Sequence, residues 1–205
     1  MSAQFDIVIA GGGMVGISLA LYLGEVLPAE KRIALVEGFP FPESLPGHKP
    51  EYHPSFDSRS TALSYSSKLI YQRLGVWQDL QQWLCPIQSI HVSNRGRFGS
   101  TLLEAQEHGW PALGYVVENS WIGSVLLEKL ATTSVEVLAP ARVSTIKPLK
   151  NSMRLTLQET DQIIESSLVV IADGANSQTA QKIGIHSNQQ PYGQHGIIAN
   201  IALEK

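Results

Sequence analysis

The chain has 205 residues, a formal net charge of −3 and 43% hydrophobic residues, so it is long enough to bury the core of one large domain or two small ones. Its Lys and Arg residues are scattered, which excludes the basic footprint typical of a nucleic-acid-binding protein. A single cysteine, Cys85, excludes an internal disulfide and a Cys-x-x-Cys redox pair, and we expect it to be a small buried side chain in a reducing compartment.

The N-terminal part of the sequence predicts a β-α-β unit. Residues 5–10, FDIVIA, form a β-branched run typical of a strand buried on both faces of a parallel sheet. Three glycines follow, residues 14–27 are compatible with a helix, and residues 32–37, RIALVE, predict a second buried strand. Five prolines within residues 38–56 predict a long irregular loop. The apolar start lacks a preceding basic segment, so it predicts neither a signal peptide nor a membrane span, and we expect a cytoplasmic protein.

The middle of the chain mixes helical and antiparallel patterns. Residues 60–77 carry apolar side chains at helical intervals, and residues 76–84 predict a second short helix. The apolar positions of the first of these helices are Leu63, Leu69, Ile70 and Leu74. Residues 87–105 alternate apolar and polar side chains on both sides of Asn-Arg-Gly, which predicts an antiparallel hairpin.

The remaining sequence predicts a second α/β stretch. Residues 114–133 read as a strand followed by an amphipathic helix, and residues 135–160 as a short strand and a β-meander. The apolar face of that helix consists of Ile122, Leu126, Leu127 and Leu130. Residues 165–185 predict a strand, a tight turn and a helix, and residues 192–205 predict a further strand. The expected fold is α/β, with a central parallel sheet, a β-meander and the beginning of an antiparallel sheet.

Gly11, Gly13 and Gly16 form a Gly-x-Gly-x-x-Gly pattern between the first predicted strand and its helix. In this context the first glycine allows a tight turn, the second lets the backbone approach a pyrophosphate, and the third lets the helix pack closely on the strand. The helix begins at Met14 and Val15, whose N–H groups lack helical partners and can bind an anion. The pattern predicts a Rossmann-like dinucleotide site, and a glycine-rich turn without a ligand is the alternative.

Glu37, at the end of the second predicted strand, is placed to accept hydrogen bonds from an adenosine ribose. Its charge would repel a 2′-phosphate. The glycine pattern and this carboxylate do not separate NAD from FAD, so a flavin disulfide reductase and an NAD-linked dehydrogenase both fit them. The absence of a redox cysteine pair argues against the first.

Two further stretches resemble a known family. Residues 56–67, FDSRSTALSYSS, and residues 169–177, VVIADGANS, resemble segments of the aromatic-hydroxylating flavoprotein monooxygenases, the family that includes p-hydroxybenzoate hydroxylase. The resemblance implies that Asp173 and Gly174 contact the ribityl region of FAD. It also implies that Arg59 lies near the flavin and its pyrophosphate, oriented by Asp57.

The same resemblance implies that Asn119 contacts the flavin. Each of these positions also has a structural alternative. Asn119 can be an ordinary N-cap, and Arg59 can form an exposed ion pair of little energetic value. The Asp-Gly turn at residues 173–174 can be a common strand-to-helix turn in which the side chains bind their own backbone.

Three more stretches narrow the resemblance to the ubiquinone-biosynthesis branch, most closely to the 2-octaprenyl-6-methoxyphenol hydroxylases. They are residues 90–103, IHVSNRGRFGSTLL, residues 113–119, LGYVVEN, and residues 189–201, QQPYGQHGIIANI. Ala180 stands where many members of the wider family carry an arginine, a departure that is also common in this branch. The resemblance spans essentially the whole chain.

The resemblance implies an FAD-dependent monooxygenase that hydroxylates a polyprenyl phenol. In such enzymes NADH or NADPH reduces the flavin, O₂ forms a C4a-hydroperoxide, and this species delivers oxygen to the ring. The implied partners are the phenol, O₂ and other ubiquinone-biosynthesis proteins, with peripheral contact to the inner membrane. The sequence nominates no general base, and the catalytic residues stay unknown. His48 and His53 lie in the proline-rich loop without metal-ligand spacing, so we expect them to be solvated rather than to bind a metal.

The resemblance also implies a division of the chain. Residues 1–86 and 115–186 are expected to form the FAD-binding domain, residues 87–114 a substrate-domain hairpin, and residues 187–205 the start of the substrate-domain sheet. Full-length relatives carry a second flavin-binding motif that these 205 residues lack. We therefore expect an N-terminal part of the enzyme that alone binds flavin poorly and does not hydroxylate. A non-catalytic FAD-binding subunit is the alternative.

Overall fold

A six-stranded sheet forms the centre of the computed structural model, which describes residues 3–42, 52–158, 160–193, 197 and 201. In sheet order, its strands are β8 (Glu136–Leu138), β2 (Ile33–Val36), β1 (Ala3–Ala10), β11 (Ile163–Ile171), β10 (Met153–Leu157) and β9 (Val143–Pro148). The first four strands are parallel, and β11, β10 and β9 form an antiparallel meander. The predicted α/β class, with a parallel sheet and a meander, is confirmed.

Strands β1 and β2 are buried on both faces, as their continuous apolar sequences predict. Because side chains alternate between the two faces of a strand, Ile9 and Leu35 pack on the helical side of the sheet, while Val8 and Ala34 pack on the meander side. All four side chains are fully buried. Burying each large aliphatic side chain contributes roughly 1.5–3 kcal/mol, so this pair of strands anchors the fold around the glycine-rich turn.

Two long helices cover one face of the central sheet. Helix α1 (Met14–Val26) follows the glycines directly, and α4 (Asn119–Leu130) packs beside it. The predicted apolar face of α4 is confirmed, since its four side chains are buried; these are Ile122, Leu126, Leu127 and Leu130. The contact between α1 and α4 brings the start of the chain to a segment more than a hundred residues away.

A second sheet of three strands corrects one sequence prediction. Residues 60–64 do not begin a helix but form strand β3 (Ser60–Ser64), which pairs with β7 (Gly114–Glu118), and β4 (Cys85–Ile87) pairs with the other edge of β7. Leu63 is therefore buried as a strand residue. Tertiary pairing with β7 overrides the helical spacing of the leucines.

Helix α2 (Tyr65–Arg73) begins where β3 ends, because the Oγ of Ser64 accepts a hydrogen bond from the amide of Ser67 at 3.2 Å and caps the helix. Two of the apolar residues at helical intervals are half exposed on this helix, Leu69 at 50% and Ile70 at 53%. The predicted second helix is confirmed as α3 (Trp77–Leu80), which continues into a 3₁₀ turn.

The remaining elements follow the predicted order. Strands β5 (Ser89–Ser93) and β6 (Ser100–Glu104) pair as the predicted antiparallel hairpin, and α5 (Gln178–Lys182) follows β11. Cys85 is exposed on β4 rather than buried, because this short strand covers the edge of β7 and not the core. Most of the strand predicted at residues 192–205 lies outside the described residues. None of the helices in the described ranges is long and apolar enough to cross a membrane.

Candidate functional site

Close backbone contacts fix the first and third glycines of the predicted fingerprint. Gly11 has φ +115°, a conformation that L side chains rarely adopt, and its amide donates to the carbonyl of Val36 at 2.8 Å. A Cβ on Gly11 would overlap the carbonyl of Ala172, and a Cβ on Gly16 would overlap the carbonyl oxygen of Gly11. These two glycines are therefore required by the packing of the protein itself, whatever it binds.

The second glycine of the fingerprint is different. Gly13 has φ −77° and ψ −174°, which any residue can adopt, and a Cβ there would meet only the side chain of Ser55, at an ordinary 3.7 Å. As the N-cap of α1, Gly13 also provides no side chain to cap the first turn. The fold itself does not explain a glycine here. A bare backbone next to unpaired helix N–H groups is the arrangement that admits a phosphate.

Glu37 braces the glycine-rich turn from the end of β2. Its side chain is 7% exposed. One carboxylate oxygen, Oε2, accepts a hydrogen bond from the amide of Gly12 at 2.7 Å, and the other, Oε1, accepts from the amide of Phe39 at 3.0 Å. Each carboxylate oxygen can accept a further bond, so the expected contact with a ribose stays a prediction beside this structural role.

We expect the variant Glu37→Ala to lose about 2 kcal/mol of the free energy of unfolding, because it leaves the buried amide of Gly12 without an acceptor. Glu37→Gln retains one acceptor oxygen and is expected to lose less. Urea denaturation followed by circular dichroism measures both. The control is Glu25→Ala, which deletes an exposed carboxylate of helix α1. Equal stability of Glu37→Ala and Glu25→Ala would contradict the bracing role.

A cleft of about 540 Å³ opens between the glycine-rich turn, the end of β2 and the turn after β11. Five of the ten predicted site residues line it: Gly11, Gly13, Glu37, Asp173 and Gly174. Its lining also includes polar residues that the sequence reasoning missed, among them Ser55, Arg142, Gln158, Thr179 and Lys182. Residues that lie far apart in the sequence, from Gly11 to Lys182, thus meet at one opening.

Asp173 and Gly174 form a strand-to-helix turn that binds its own backbone, and they also line the cleft where a ligand contact is predicted. The Oδ2 of Asp173 accepts a hydrogen bond from the amide of Thr179 at 3.1 Å, as the structural alternative predicts. The residue also lines the cleft, and Gly174 has φ +89° with no atom within 4 Å of the position of a Cβ. Packing therefore does not explain the glycine at 174, but its backbone conformation does.

The other predicted residues lie outside the cleft lining. Met14 and Val15 form the first turn of α1, where Val15 is 71% exposed, and Gly16 is buried behind them. Arg59 and Asn119 belong to a separate cluster at the start of α4. The structure thus brings half of the predicted set together, and the roles of all ten residues in binding a cofactor stay predictions.

The cluster of Asp57, Arg59 and Asn119 organises the start of α4. The Nε of Arg59 binds the Oδ2 of Asp57 at 2.6 Å, and the Arg59 side chain is 61% exposed, an arrangement that also matches the exposed ion pair of the structural alternative. Asn119 hydrogen-bonds Thr61 and Asp57 through its side chain. It is the first residue of the helix and not its N-cap, which is Glu118. Arg59 is therefore held in a fixed orientation with an exposed cationic face.

The Asp57 carboxyl titrates lower than an ordinary aspartic acid. Burial acts to raise its pKa, but the amide and guanidinium of Arg59 and the side chain of Asn119 outweigh burial and hold the pKa below its ordinary value. The backbone carbonyls of Asp57 and Arg59 accept from the amides of Ser120 and Asn119, at 3.0 and 2.8 Å. Side-chain and main-chain bonds therefore fix the same three-residue segment.

His53 is buried, not solvated as the sequence predicts, and His48 lies outside the described residues. The imidazole is 1% exposed. Three aromatic rings surround it, with centroids 6.1 Å away for Phe39, 5.4 Å for Phe41 and 5.6 Å for Phe56. The proline-rich composition of this segment hides an aromatic cluster, because its phenylalanines have no regular spacing. Only the folded chain brings them around His53.

We expect the stability of the fold to decline as the pH falls below about 6.5, the ordinary pKa of histidine. Burial lowers the pKa of His53, against the weaker opposing effect of the Glu37 charge. The unfolded chain therefore takes up a proton that the folded chain resists, and stability is fully present only above this range. Urea denaturation at about pH 7.5 and about pH 5.5 measures the loss.

The variant His53→Phe removes this titration and leaves the other ionisable groups in place. The difference in the free energy of unfolding between the parent chain and His53→Phe should therefore change with pH. If that difference were the same at both pH values, the buried histidine would not be the source of the acid sensitivity.

Comparison with curated proteins gives ubiquinone hydroxylases. The ubiquinone hydroxylase UbiL of Rhodospirillum rubrum is 30% identical over 203 residues, which cover 98% of this chain and 44% of that protein. The 3-demethoxyubiquinol 3-hydroxylase of Escherichia coli is 31% identical over 201 residues, covering 97% of this chain and 49% of that protein. The ubiquinone biosynthesis monooxygenase COQ6 of Caenorhabditis elegans is 30% identical over 210 residues, covering 99% and 45%.

The resemblance to the ubiquinone-biosynthesis hydroxylases is thereby confirmed over nearly the whole chain. The chain spans slightly less than half the length of these curated relatives. No family model matches it.

Comparison with solved structures gives several monooxygenases of similar fold. The p-nitrophenol 4-monooxygenase PnpA of Pseudomonas putida matches with a TM-score of 0.70 and 19% identity over 90% of this chain and 44% of that chain. The flavin-dependent monooxygenase PieE, solved with FAD and substrate, matches with a TM-score of 0.65 and 15% identity over 88% and 32%. At these identities the likeness shows the fold, and the predicted fold class is confirmed.

Proposed function

We propose that this chain forms the ADP-binding part of the FAD site in an FAD-dependent hydroxylase of ubiquinone biosynthesis. One observation carries the proposal. Gly13, which the fold does not require to be a glycine, lies on the same cleft as Glu37 and Asp173. A bare backbone, a carboxylate suited to a ribose and a turn suited to a sugar chain thus face one cleft.

The donor set fits FAD. The backbone around Gly11 and Gly13 and the first turn of α1, at Met14 and Val15, would bind the pyrophosphate. Gly16 would act indirectly, by letting the helix approach the turn. Of the remaining predicted residues, Glu37 would bind the adenosine ribose, and Asp173 with Gly174 would bind the ribityl chain. The exposed cation of Arg59 and the amide of Asn119 would contact the flavin side.

FAD, reduced by NADH or NADPH, would supply the reaction of O₂ that hydroxylates an aromatic ring. The residues of this chain would bind and orient the cofactor, and the carboxylate of Glu37 would disfavour a 2′-phosphate on the bound nucleotide. The name of the Escherichia coli relative points to a ubiquinone-pathway phenol as the substrate. We place the substrate among the polyprenyl phenols. Their poor solubility in water favours peripheral contact of a cytoplasmic enzyme with the inner membrane, or with other proteins of the pathway that deliver the phenol.

The domain division proposed from the sequence accompanies this function. Residues 1–86 and 115–186 would form the FAD-binding domain, with the hairpin in residues 87–114 and the segment 187–205 contributing to the substrate side. The β5–β6 hairpin pairs with neither of the two larger sheets. This separation supports assigning the hairpin to a different domain, whose remaining strands would lie in the rest of the enzyme.

Competitive titration tests which cofactor the chain binds. A chain without the second flavin-binding motif is expected to bind FAD more weakly than the full-length enzyme does. We still expect the 205-residue chain to bind ADP and FAD measurably in calorimetry, and NAD and riboflavin more weakly, because the residues present would hold the ADP part and the ribityl chain. Binding of NAD in preference to FAD would overturn the proposal. Hydroxylation is tested with the full-length enzyme, by NAD(P)H oxidation that depends on the phenol and by the gain of one oxygen atom in the product.

A further inference from the structure

We infer that Ser55 is a further contact for the phosphate groups of the dinucleotide, and that the buried His53 holds Ser55 in position. The inference rests on the proposed function, because the ligand is the pyrophosphate of a bound dinucleotide. Ser55 belongs to neither the glycine fingerprint nor the segments that carry the family resemblance. Its assignment therefore depends on the tertiary structure alone.

Ser55 lies directly beside the bare backbone of Gly13. Its Cβ and Oγ are each 3.7 Å from the position that a Cβ on Gly13 would occupy, and both residues line the cleft. The N-cap of α1 has no side-chain hydrogen bond of its own. A hydroxyl that donates to a phosphate oxygen would therefore complement the N–H groups of the helix start from a position beside Gly13.

A tight turn fixes the backbone of Ser55. Its amide donates to the Nδ1 of His53 at 3.2 Å, and the amide of Phe56 donates to the carbonyl of His53 at 2.9 Å. Phe56 is 2% exposed and packs against Gly123 of helix α4, where a Cβ would overlap its ring. The turn is thus anchored between α4 and the aromatic cluster, and it presents Ser55 to the cleft.

The hydrogen bond to Ser55 explains why the aromatic cluster contains a histidine. In a neutral imidazole whose Nδ1 accepts a hydrogen bond, the proton lies on Nε2. Among the described residues, this buried Nε2 has no hydrogen-bond partner, and a buried donor without a partner is unfavourable. A phenylalanine would avoid this cost and fill the same space, but it could not accept the amide of Ser55. His53 is therefore a positioning residue.

Calorimetric titration of ADP and FAD into single and double variants tests the inference. Removing the hydroxyl in Ser55→Ala is expected to lower the affinity for ADP and for FAD about tenfold, which corresponds to the loss of one hydrogen bond to a charged group. Ser55→Thr retains a hydroxyl and should keep most of the affinity. Binding of riboflavin, which lacks phosphate, should not change. Ser89→Ala, on the exposed β5–β6 hairpin, is the matched control and should bind as the parent chain does.

The positioning role of His53 is tested by a double-mutant cycle. His53→Phe should weaken ADP binding by up to the same factor as Ser55→Ala, and the double variant should lose little more than Ser55→Ala alone. His53→Asn, whose side-chain oxygen can replace Nδ1 as the acceptor, should restore part of the affinity. Fully additive losses would mean that His53 acts on the fold and not through Ser55.

The outcomes separate this inference from the proposed function. If the parent chain binds ADP and FAD and Ser55→Ala binds them equally well, the contact is wrong and the proposed site stands. If the parent chain binds neither ligand, the proposed function fails and the contact fails with it. A tenfold loss of ADP affinity with unchanged riboflavin binding supports both.

Discussion

The variant Gly16→Ala is expected to lose about 3 kcal/mol of the free energy of unfolding. Alanine normally favours a helix interior over glycine by about 1 kcal/mol, so the sign of this result is informative. The added Cβ would overlap the carbonyl oxygen of Gly11, and that carbonyl belongs to a turn held by a hydrogen bond from the Gly11 amide to Val36. Neither backbone can move without disturbing the junction of β1, β2 and α1.

The control for this prediction lies in the same helix. At Gly24 a Cβ would meet only a side-chain methyl of Val135, at 3.8 Å. Gly24→Ala should therefore stabilise the chain by about 0.5–1 kcal/mol through helix propensity. Urea denaturation followed by circular dichroism compares the two variants with the parent chain. If both were stabilising, the close approach of α1 to the glycine-rich turn would be wrong.

The variant Gly13→Ala is expected to separate binding from folding. Its Cβ has room in the protein, and the backbone angles of Gly13 suit alanine. The free energy of unfolding should therefore change by no more than about 1 kcal/mol, the usual difference between residues at an N-cap. The methyl group would occupy the wall of the cleft at the start of α1 and keep a phosphate from reaching the N–H groups there.

We expect Gly13→Ala to lower the affinity for ADP and for FAD about 100-fold, because displacing the phosphate weakens several hydrogen bonds to a charged group at once. Calorimetric titration measures this loss, and denaturation of the same samples confirms that the variant is folded. An exposed substitution, Glu25→Ala, is the control for both measurements. ADP affinity unchanged from that of the parent chain would show that the pyrophosphate does not lie against Gly13.

Local sequence predicted the framework of the site well. The strand–glycine–helix order placed Gly11, Gly13 and Gly16 at the junction of β1 and α1, because apolar runs, glycine and helix formers act on neighbouring residues. Glu37 was predicted at the end of β2, where the structure has it bracing the turn. Each of these predictions used only interactions within about thirty residues along the chain.

The sequence misled where contacts formed only in the folded chain decide the structure or burial of a residue. Residues 60–64 have helical spacing, yet they form β3 because each of the five pairs in register with a residue of β7. His53 stands in a proline-rich stretch that indicates solvent exposure, yet three phenylalanines enclose it. In both cases the decisive neighbour was not recognisable from the local pattern.

The sequence by itself determined the fold class, the dinucleotide fingerprint and the family resemblance, since each depends on periodicity or on a short motif. The tertiary structure alone decided which residues share the cleft. It joined Gly13, Glu37 and Asp173 with Ser55 in the lining of one cleft, and left Arg59 beside α4. The physical reason is that the cleft forms where the ends of strands and the loops after them meet. Its walls depend on the order of the strands in the sheet and on the geometry of the turns, and local sequence spacing contains neither.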